Sequence, residues 1–222
     1  MRANIFQQYF GDKIKIKNDS HITDHSKKII TSSIFFARQG VYSHGNDFIN
    51  ENLIRKAKFI FSSKRAKFKS DNFIYVPNLE SKLLNFLFAY WDIPKTTKFY
   101  GITGTNGKTS VADLYFQILN LNKIPTASVG TLGVKYKKKT DKSDLTTPDT
   151  INLHRSLQKI KKNNINNVII ETSSHGLHQR RLDHLDFKAG IFTNFSQDHL
   201  DYHKTMAKYL NAKLHLFRNV IK

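Results

Sequence analysis

The sequence predicts an α/β protein in two parts: a small N-terminal α/β domain over residues 1–93 and a second domain, 94–222, with a mainly parallel sheet. Short apolar runs bounded by polar turns recur through the first part, as in small mixed folds. From Lys98 onward, apolar strands alternate with amphipathic helical segments, which is typical of a parallel sheet covered by helices. A glycine-rich loop joins the first of these strands to the first of these helices.

In the N-terminal part, the runs of aromatic and β-branched residues predict three strands, at 33–37, 59–61 and 73–76. Apolar residues at helical spacing predict two helices, at 47–56 and 79–91. Pro94 disfavours continuation of a helix, so we expect residues 92–97 to be a linker.

The second part repeats a strand-then-helix order. The predicted strands are 99–102, 126–129, 168–171 and 189–193, and the predicted helices are 108–121, 150–162 and 205–220. Ligands of such sheets bind beyond the carboxyl ends of the strands, so polar residues that follow these strands are the candidate site.

The glycine-rich loop reads Gly-Ile-Thr-Gly-Thr-Asn-Gly-Lys-Thr-Ser over 101–110. Glycines let backbone N–H groups turn towards phosphate oxygens, and the following helix N-terminus adds partial positive charge. Lys108 would reach the terminal phosphates of ATP, and the Thr109 hydroxyl would bind Mg²⁺. A strict phosphate loop has glycine where Ile102 stands. The alternative to a phosphate site is a glycine-rich turn with a chance Lys-Thr pair. The candidate ATP-binding residues are Gly104, Thr105, Asn106, Gly107, Lys108, Thr109 and Ser110.

Glu171 ends the apolar strand that begins at Val168, and polar residues follow it at once, including Ser173 and His175. In a phosphate-loop protein, a carboxylate at this place can hold Mg²⁺ directly or through water. The alternative is a polar residue that only marks the end of a strand. The density of polar groups at this one strand exit favours a site.

His199 lies in the polar segment that follows the next strand, and it is a candidate metal ligand with Asp198 as its neighbour. Lone histidines are more often structural, so this prediction depends on its position beside the strand of Glu171.

Lys213 falls inside the apolar stripe of the last predicted helix. A charged lysine that faces inward is costly unless it is paired or chemically altered. The alternatives are a side chain that snorkels at the edge of the stripe and a role in the site. The residues that define the stripe are Met206, Leu210, Leu214 and Phe217.

Composition limits the classes of function. The chain has no Cys, which excludes disulfides and thiolate metal sites, and no apolar run approaches the ~20 residues of a membrane span. No signal-peptide pattern is seen, so we expect a cytoplasmic protein.

The net charge of +19 suits a nucleic acid or an anionic membrane, but the lysine runs are short and no nucleic-acid-binding motif accompanies them. We therefore expect dispersed surface lysines, no nucleic-acid or membrane partner, and a monomer.

Six motifs in one order, including Gly-Thr-Leu-Gly at 130–133 and Thr-Thr-Pro at 146–148, resemble the Mur ligases, and within them the UDP-N-acetylmuramoyl-tripeptide synthetases. The resemblance at the N-terminus is weaker. Ser26-Lys27-Lys28-Ile29 is similar to the family's Ser-Arg-x-Val, but Lys cannot reproduce the bidentate fork of Arg, and His25 replaces the usual Asp. The remaining motifs are at 101–109, 171–177, 192–203 and 211–217.

The resemblance implies an ATP-dependent ligase of peptidoglycan precursor synthesis. Such an enzyme adds a diamino acid, meso-diaminopimelate or lysine, to UDP-MurNAc-L-Ala-D-Glu through an acyl phosphate. By resemblance, the N-terminal domain binds the UDP-MurNAc portion and the second domain binds ATP. The alternatives from other classes are an ATP-binding module without ligase activity and a basic nucleic-acid-binding protein.

The resemblance also implies residue roles. Lys108, Glu171, His199 and Lys213 would be catalytic; Thr109 and Glu171 would bind one Mg²⁺, and His199 with a carbamylated Lys213 would help bind a second. The residues expected to contact the muramoyl-peptide substrate are Ser26, Thr146, Thr147, Ser173 and Arg181.

The resemblance covers nearly all of this chain but only about the first half of the family's length. We expect the remaining strands of the ATPase sheet and the C-terminal ligase domain to be absent. An unfinished parallel sheet exposes an apolar edge, so we expect these 222 residues alone to be inactive and poorly folded beyond the N-terminal domain.

Overall fold

The computed structural model describes residues 2–17, 20–66 and 68–221, and it divides into two compact units, Met1–Asp92 and Ile93–Lys222. Both units are mixed α/β structures with mainly parallel sheets, which confirms the predicted fold class. In the described part of the chain, no helix has the length and apolar character needed to cross a bilayer.

The first unit is built on a four-stranded parallel sheet in the order β1-β2-β3-β4. Aromatic side chains fill its core: Phe6 lies 4.4 Å from Phe86 between ring centroids, and Phe36 stacks on Phe61 at 5.2 Å. The elements are α1 (Arg2–Phe10), β1 (Ile22–Thr23), β2 (Ser33–Ala37), α2 (Glu51–Lys56), β3 (Ala57–Ser62), β4 (Phe73–Tyr75) and α3 (Leu79–Tyr90).

The predicted helix at 47–56 is wrong in its first part. A 3-10 turn at Gly45–Phe48 precedes it, and α2 itself begins at Glu51. Asn50 has an extended backbone, and its side chain accepts a hydrogen bond from Leu53 N, which makes Asn50 the N-cap. An apolar spacing that spans both segments hid this cap from the sequence pattern.

The second unit carries a six-stranded sheet in the order β10-β5-β9-β6-β7-β8. The first four strands are parallel, and β7 and β8 continue from β6 as antiparallel strands. The strands are β5 (Lys98–Thr103), β6 (Thr126–Gly130), β7 (Gly133–Tyr136), β8 (Lys139–Asp141), β9 (Asn167–Glu171) and β10 (Phe187–Phe192). The helices are α4 (Lys108–Leu121), α5 (Thr150–Lys161), α6 (Ser174–His178), α7 (Leu200–His203) and α8 (Met206–His215).

Several elements of this unit differ from the sequence pattern, and the short helices α6 and α7 were not predicted. Strands β7 and β8 were not predicted, because their lysines mask the alternation of buried side chains. The predicted helix at 205–220 ends earlier, at His215, and a π-helical turn covers Leu216–Val220.

The strand order places the site. Strands β5, β9 and β10 are neighbours and parallel, so the loops that follow them meet at one edge of the sheet. Helix α4 is held against these strands by an apolar cluster of Ile102, Ala112, Phe116 and Ile169. At the β10 edge of the sheet, Ile191 is 38% exposed.

Candidate active site

The glycine-rich loop connects β5 to α4 as predicted from the sequence. Gly104 and Gly107 have φ of +144° and +78°, in the region that favours glycine. A Cβ on Gly104 would lie 1.9 Å from Thr193 Oγ1, so the loop is also closely packed. Ile102 is fully buried in β5, which explains how an apolar residue is accommodated where a strict phosphate loop has glycine.

Lys108 lies at the first position of α4 and folds back over the loop. Its Nζ donates hydrogen bonds to Gly104 O at 3.0 Å and to Thr105 O at 2.8 Å. Burial lowers the pKa of Lys108, and the negative charges of Glu171 and Asp198 oppose that shift. The ammonium group therefore lies next to the loop that would hold phosphates, and the charges of two carboxylates act on it.

Glu171 is 2% exposed and is held by two threonines. Thr109 Oγ1 donates to Glu171 Oε2 at 2.9 Å, and Thr131 donates from its N to Oε1 at 2.9 Å and from Oγ1 to Oε2 at 3.2 Å. A Cβ on Gly130 would lie 2.0 Å from Glu171 Oε1, so glycine makes room for the carboxylate. A hydroxyl and a carboxylate oxygen in contact are the hard oxygen ligands that suit Mg²⁺.

Thr131 was missed as a site residue by the sequence analysis. Its motif, Gly-Thr-Leu-Gly at 130–133, was noted only for its resemblance. The signal that could have found it is its place immediately after β6, next to the strand that carries Glu171. Thr131 Oγ1 also lies 3.1 Å from Thr146 Oγ1, so it joins the carboxylate to a predicted substrate residue.

A cleft of about 290 Å³ is lined by half of the predicted site residues of the second unit, and Thr109 and Glu171 are not among its lining residues. Those that line it are Lys108, Thr146, Thr147, Ser173, Arg181, His199 and Lys213, with His175 beside them. The side chain of Thr105 is 7% exposed and turns towards the loop after β10, and its carbonyl accepts from Lys108 Nζ, so its part in ATP binding stays a prediction.

Hydrogen bonds connect the residues of the cleft that are predicted to contact the substrate. Thr147 Oγ1 donates to Glu171 O at 2.6 Å and accepts from Ser173 N at 2.9 Å. Arg181 donates from Nη1 to Thr147 O. Gln179 Oε1 accepts from Arg181 Nε at 3.0 Å and from Nη2 at 2.6 Å, which fixes the plane of the guanidinium. Gln179 was not assigned a role from the sequence.

Lys213 is 1% exposed, so its side chain faces inward and does not snorkel. Its Nζ donates to Gly104 O at 2.5 Å and lies 4.4 Å from the centroid of the Tyr209 ring. Burial, and then the charge of Lys108, lower the pKa of Lys213 to about 7, against an opposing effect of Asp198. A large fraction of this amine is therefore neutral near pH 7, which is the form that reacts with CO₂.

His199 lies at the cleft with a half-exposed side chain, and its Nε2 is 3.5 Å from Asp198 Oδ2. Its ring centroid lies 4.9 Å from that of His175, whose pKa is lowered by burial and then by the nearby charges of His199 and Arg181. Across the described ranges, no three His, Asp or Glu side chains form a group that could hold a metal ion. A second metal site at His199 therefore depends on a carboxylate supplied by modified Lys213, and it stays a prediction.

Ser26 lies in the first unit, in a different cavity of about 470 Å³. Lys27, Asp47, Phe48 and Asn50 line the same cavity. His25 accepts a hydrogen bond from Lys27 N at 3.3 Å and so caps the short turn that carries Ser26.

Comparison with known proteins identifies the family. The model of the Mur ligase middle domain matches residues 102–222, more than half of the chain. The chain belongs to the Mur ligase family. The predicted enzyme class, an ATP-dependent ligase, is that of the family.

Curated relatives of this Mur ligase chain carry the name UDP-N-acetylmuramoyl-L-alanyl-D-glutamate–2,6-diaminopimelate ligase. The Buchnera aphidicola protein is 37% identical over 210 residues, which cover 90% of this chain and 42% of the relative. The Rickettsia conorii protein is 36% identical over 220 residues, covering 97% of this chain and 44% of the relative. The chain thus spans less than half the length of these relatives.

A solved structure of a ligase with that name superimposes with a TM-score of 0.73 at 27% identity, over 98% of this chain and 45% of the other. The MurF ligase from Thermotoga maritima, solved in complex with ADP, matches with a TM-score of 0.53 at 17% identity, over 93% of this chain and 44% of the other. The second likeness shows the shared fold alone.

Proposed function

We propose that this chain supplies the UDP-MurNAc-binding and ATP-binding parts of a ligase that adds 2,6-diaminopimelate to UDP-MurNAc-L-Ala-D-Glu. The observation that carries the proposal is the contact of Thr109 with Glu171 beside Lys108, at one end of a cleft that Ser173 and Arg181 line. The names of the relatives favour 2,6-diaminopimelate over lysine.

The nucleotide would lie with its phosphates on the loop at 104–110. Backbone N–H groups and Lys108 would bind the β- and γ-phosphates, and Thr109 and Glu171 would hold Mg²⁺ between them. When bound, the ion neutralises charge on the transferred phosphoryl group. Thr131 keeps the Glu171 carboxylate turned towards Thr109.

The D-glutamyl carboxylate would enter the cleft from the side of Thr147, Ser173 and Arg181. Its oxygen attacks the γ-phosphorus of ATP, the bond to the β–γ bridging oxygen breaks, and ADP leaves with an acyl phosphate formed. The neutral amine of the diamino acid then attacks the acyl carbon, the bond from that carbon to the phosphate oxygen breaks, and the departing phosphate takes up the proton that the amine loses. Lys108 stabilises the charge that develops during the phosphoryl transfer.

The cavity at Ser26 would take the uridine-diphosphate end of the substrate in the first unit. We place the working enzyme in the cytoplasm, without a nucleic-acid or membrane partner, because its proposed substrates are soluble anions; the monomeric state stays a prediction. The net charge of +19 provides a positive field that attracts them.

The test is a calorimetric titration of UDP-MurNAc-L-Ala-D-Glu into the chain, with and without the Mg²⁺ complex of a non-hydrolysable ATP analogue. We expect saturable binding that weakens at least tenfold in Arg181→Leu, with Arg155→Leu on α5 as the matched control. Nucleotide binding with no response to the muramoyl peptide would instead favour an ATP-binding module. Salt-dependent DNA binding with no nucleotide affinity would favour the nucleic-acid-binding class.

A further inference from the structure

The loop that follows β10 is hydrogen-bonded to the phosphate loop along its length. Thr105 N donates to Asn194 O at 2.9 Å, and Asn106 N donates to Asn194 Oδ1 at 3.0 Å. Asn194 Nδ2 in turn donates to Asn106 O at 3.1 Å, and Thr193 Oγ1 donates to the same carbonyl at 2.6 Å. One asparagine side chain therefore holds both the N–H and the C=O of Asn106.

The Thr105 hydroxyl makes the second set of contacts. It accepts from Ser196 N at 3.0 Å, donates to Ser196 O at 3.1 Å and lies 3.2 Å from Tyr209 Oη of α8. A hydroxyl has one proton and two lone pairs, so these three partners use its full capacity. Since the Thr105 side chain is 7% exposed, these bonds are shielded from water, where hydrogen bonds are more costly to lose.

The same loop leads directly to the reacting end of the cleft. His199 comes three residues after Ser196, and Asp198 is close enough to oppose the lowered pKa of both Lys108 and Lys213. A displacement of the phosphate loop would therefore also displace the segment 194–199, which carries His199. In the opposite direction, ordering the phosphate loop would order that segment.

We propose that Thr105 and Asn194 are positioning residues that join the phosphate loop to the segment 194–199, so that nucleotide binding fixes the position of His199. The inference rests on the proposed binding of ATP at this loop. It assigns the Thr105 side chain a role away from the nucleotide. Its hydroxyl contacts Ser196 and Tyr209, so that ordering of the phosphate loop also orders the segment 194–199.

The experiment is hydrogen exchange with mass spectrometry on the whole chain, with and without the Mg²⁺ complex of a non-hydrolysable ATP analogue. Thr105→Val keeps the shape and removes the hydroxyl, and Thr105→Ser keeps the hydroxyl. Thr140→Val changes an exposed threonine on β8 as the matched control. In the unchanged chain, nucleotide should slow exchange at 104–110 and at 194–199 together.

In Thr105→Val, we expect nucleotide still to protect 104–110, while protection of 194–199 falls at least fivefold; Thr105→Ser and Thr140→Val should behave as the unchanged chain. Full protection of 194–199 in Thr105→Val would overturn the inference. If Thr105→Val melts before the other variants, Asn194→Asp replaces it, because it keeps an acceptor for Asn106 N and loses the donor to Asn106 O.

Failure of the proposed function gives a different result. If nucleotide protects neither segment of the unchanged chain, the proposed assignment of the ATP site is wrong. The connection itself is then tested without nucleotide. Thr105→Val must raise the exchange rate of 194–199 at least fivefold over Thr105→Ser, and equal rates would overturn the connection as well.

Discussion

Thr109 Oγ1 donates a 2.9 Å hydrogen bond to Glu171 Oε2, although the two residues are 62 positions apart in the chain. The contact exists because β5 and β9 are adjacent and parallel, so that the loop after one strand meets the last residue of the other. It places a hydroxyl and a buried carboxylate where one Mg²⁺ can bind both.

Thr131→Val should weaken the apparent affinity for Mg²⁺ in nucleotide binding by about tenfold, because groups that orient a metal ligand contribute on that order. The substitution removes the hydroxyl that donates to Glu171 Oε2 and keeps the backbone donor. The measurement is a Mg²⁺ titration at fixed ATP analogue. Thr131→Ser should restore the affinity, and an unchanged midpoint in Thr131→Val would contradict the positioning role.

Lys213 should form a carbamate with dissolved CO₂, since its lowered pKa leaves neutral amine available. With ¹³C-bicarbonate, a carbamate resonance should appear, grow as pH rises through about 7, and be absent from Lys213→Met. The carbamate signal rises with pH because protonation below that pKa removes the neutral amine, which is the nucleophile. A spectrum of Lys213→Met identical to that of the unchanged chain would exclude this lysine as the site.

Gln179→Leu should lower the affinity for the muramoyl peptide by roughly tenfold, about 1.4 kcal/mol, because the guanidinium of Arg181 loses the acceptor that fixes its plane. Gln179→Glu keeps that acceptor and should bind nearly as well. Calorimetry with the peptide measures the effect, and the ATP analogue serves as the control ligand. Equal losses for both ligands would point to misfolding of the cleft.

His154 should make the second unit acid-sensitive. It is fully buried on α5, and burial lowers its pKa from 6.5 to about 4, against the hydrogen bond between Nδ1 and Thr150 O. Between those values the unfolded chain binds a proton that the folded chain excludes. The free energy of unfolding therefore falls as pH drops from 6.5 to about 4.

The expected loss over that interval is roughly 3 kcal/mol. Urea denaturation at a series of pH values measures it. His154→Phe should flatten the dependence, whatever its effect on stability at pH 7, and a slope that is unchanged in His154→Phe would assign the acid sensitivity to other groups.

The sequence predicted the parts of the site that depend on strand order. Glu171 ends a strand, Lys108 and His199 lie in segments that follow strands, and the parallel order brings those strand ends together. The helical spacing of apolar residues likewise predicted that the Lys213 side chain could face inward, and it is buried. These residues lie where regular periodicity and the topology of a parallel sheet decide position.

The residues that the sequence did not reveal depend on side-chain contacts between distant segments. Thr131, Gln179 and Asn194 act through hydrogen bonds to Glu171, Arg181 and Asn106, and no local pattern encodes such pairs. The start of α2 was misplaced for a related reason, because a single Asn50 cap overrode an apolar spacing that continued across it.

In the proposed function, the loop at 104–110 binds the phosphates of ATP through Lys108, and Thr109 and Glu171 hold Mg²⁺. The most direct measurement is the Kd of a fluorescent ATP analogue for the whole chain, with Mg²⁺ and with EDTA, in the unchanged protein, Lys108→Ala and the control Lys98→Ala. We expect saturable, Mg²⁺-dependent binding that weakens at least fiftyfold in Lys108→Ala and is unchanged in Lys98→Ala. Absence of binding by the folded chain, or equal Kd values for the unchanged protein and Lys108→Ala, would contradict the claim.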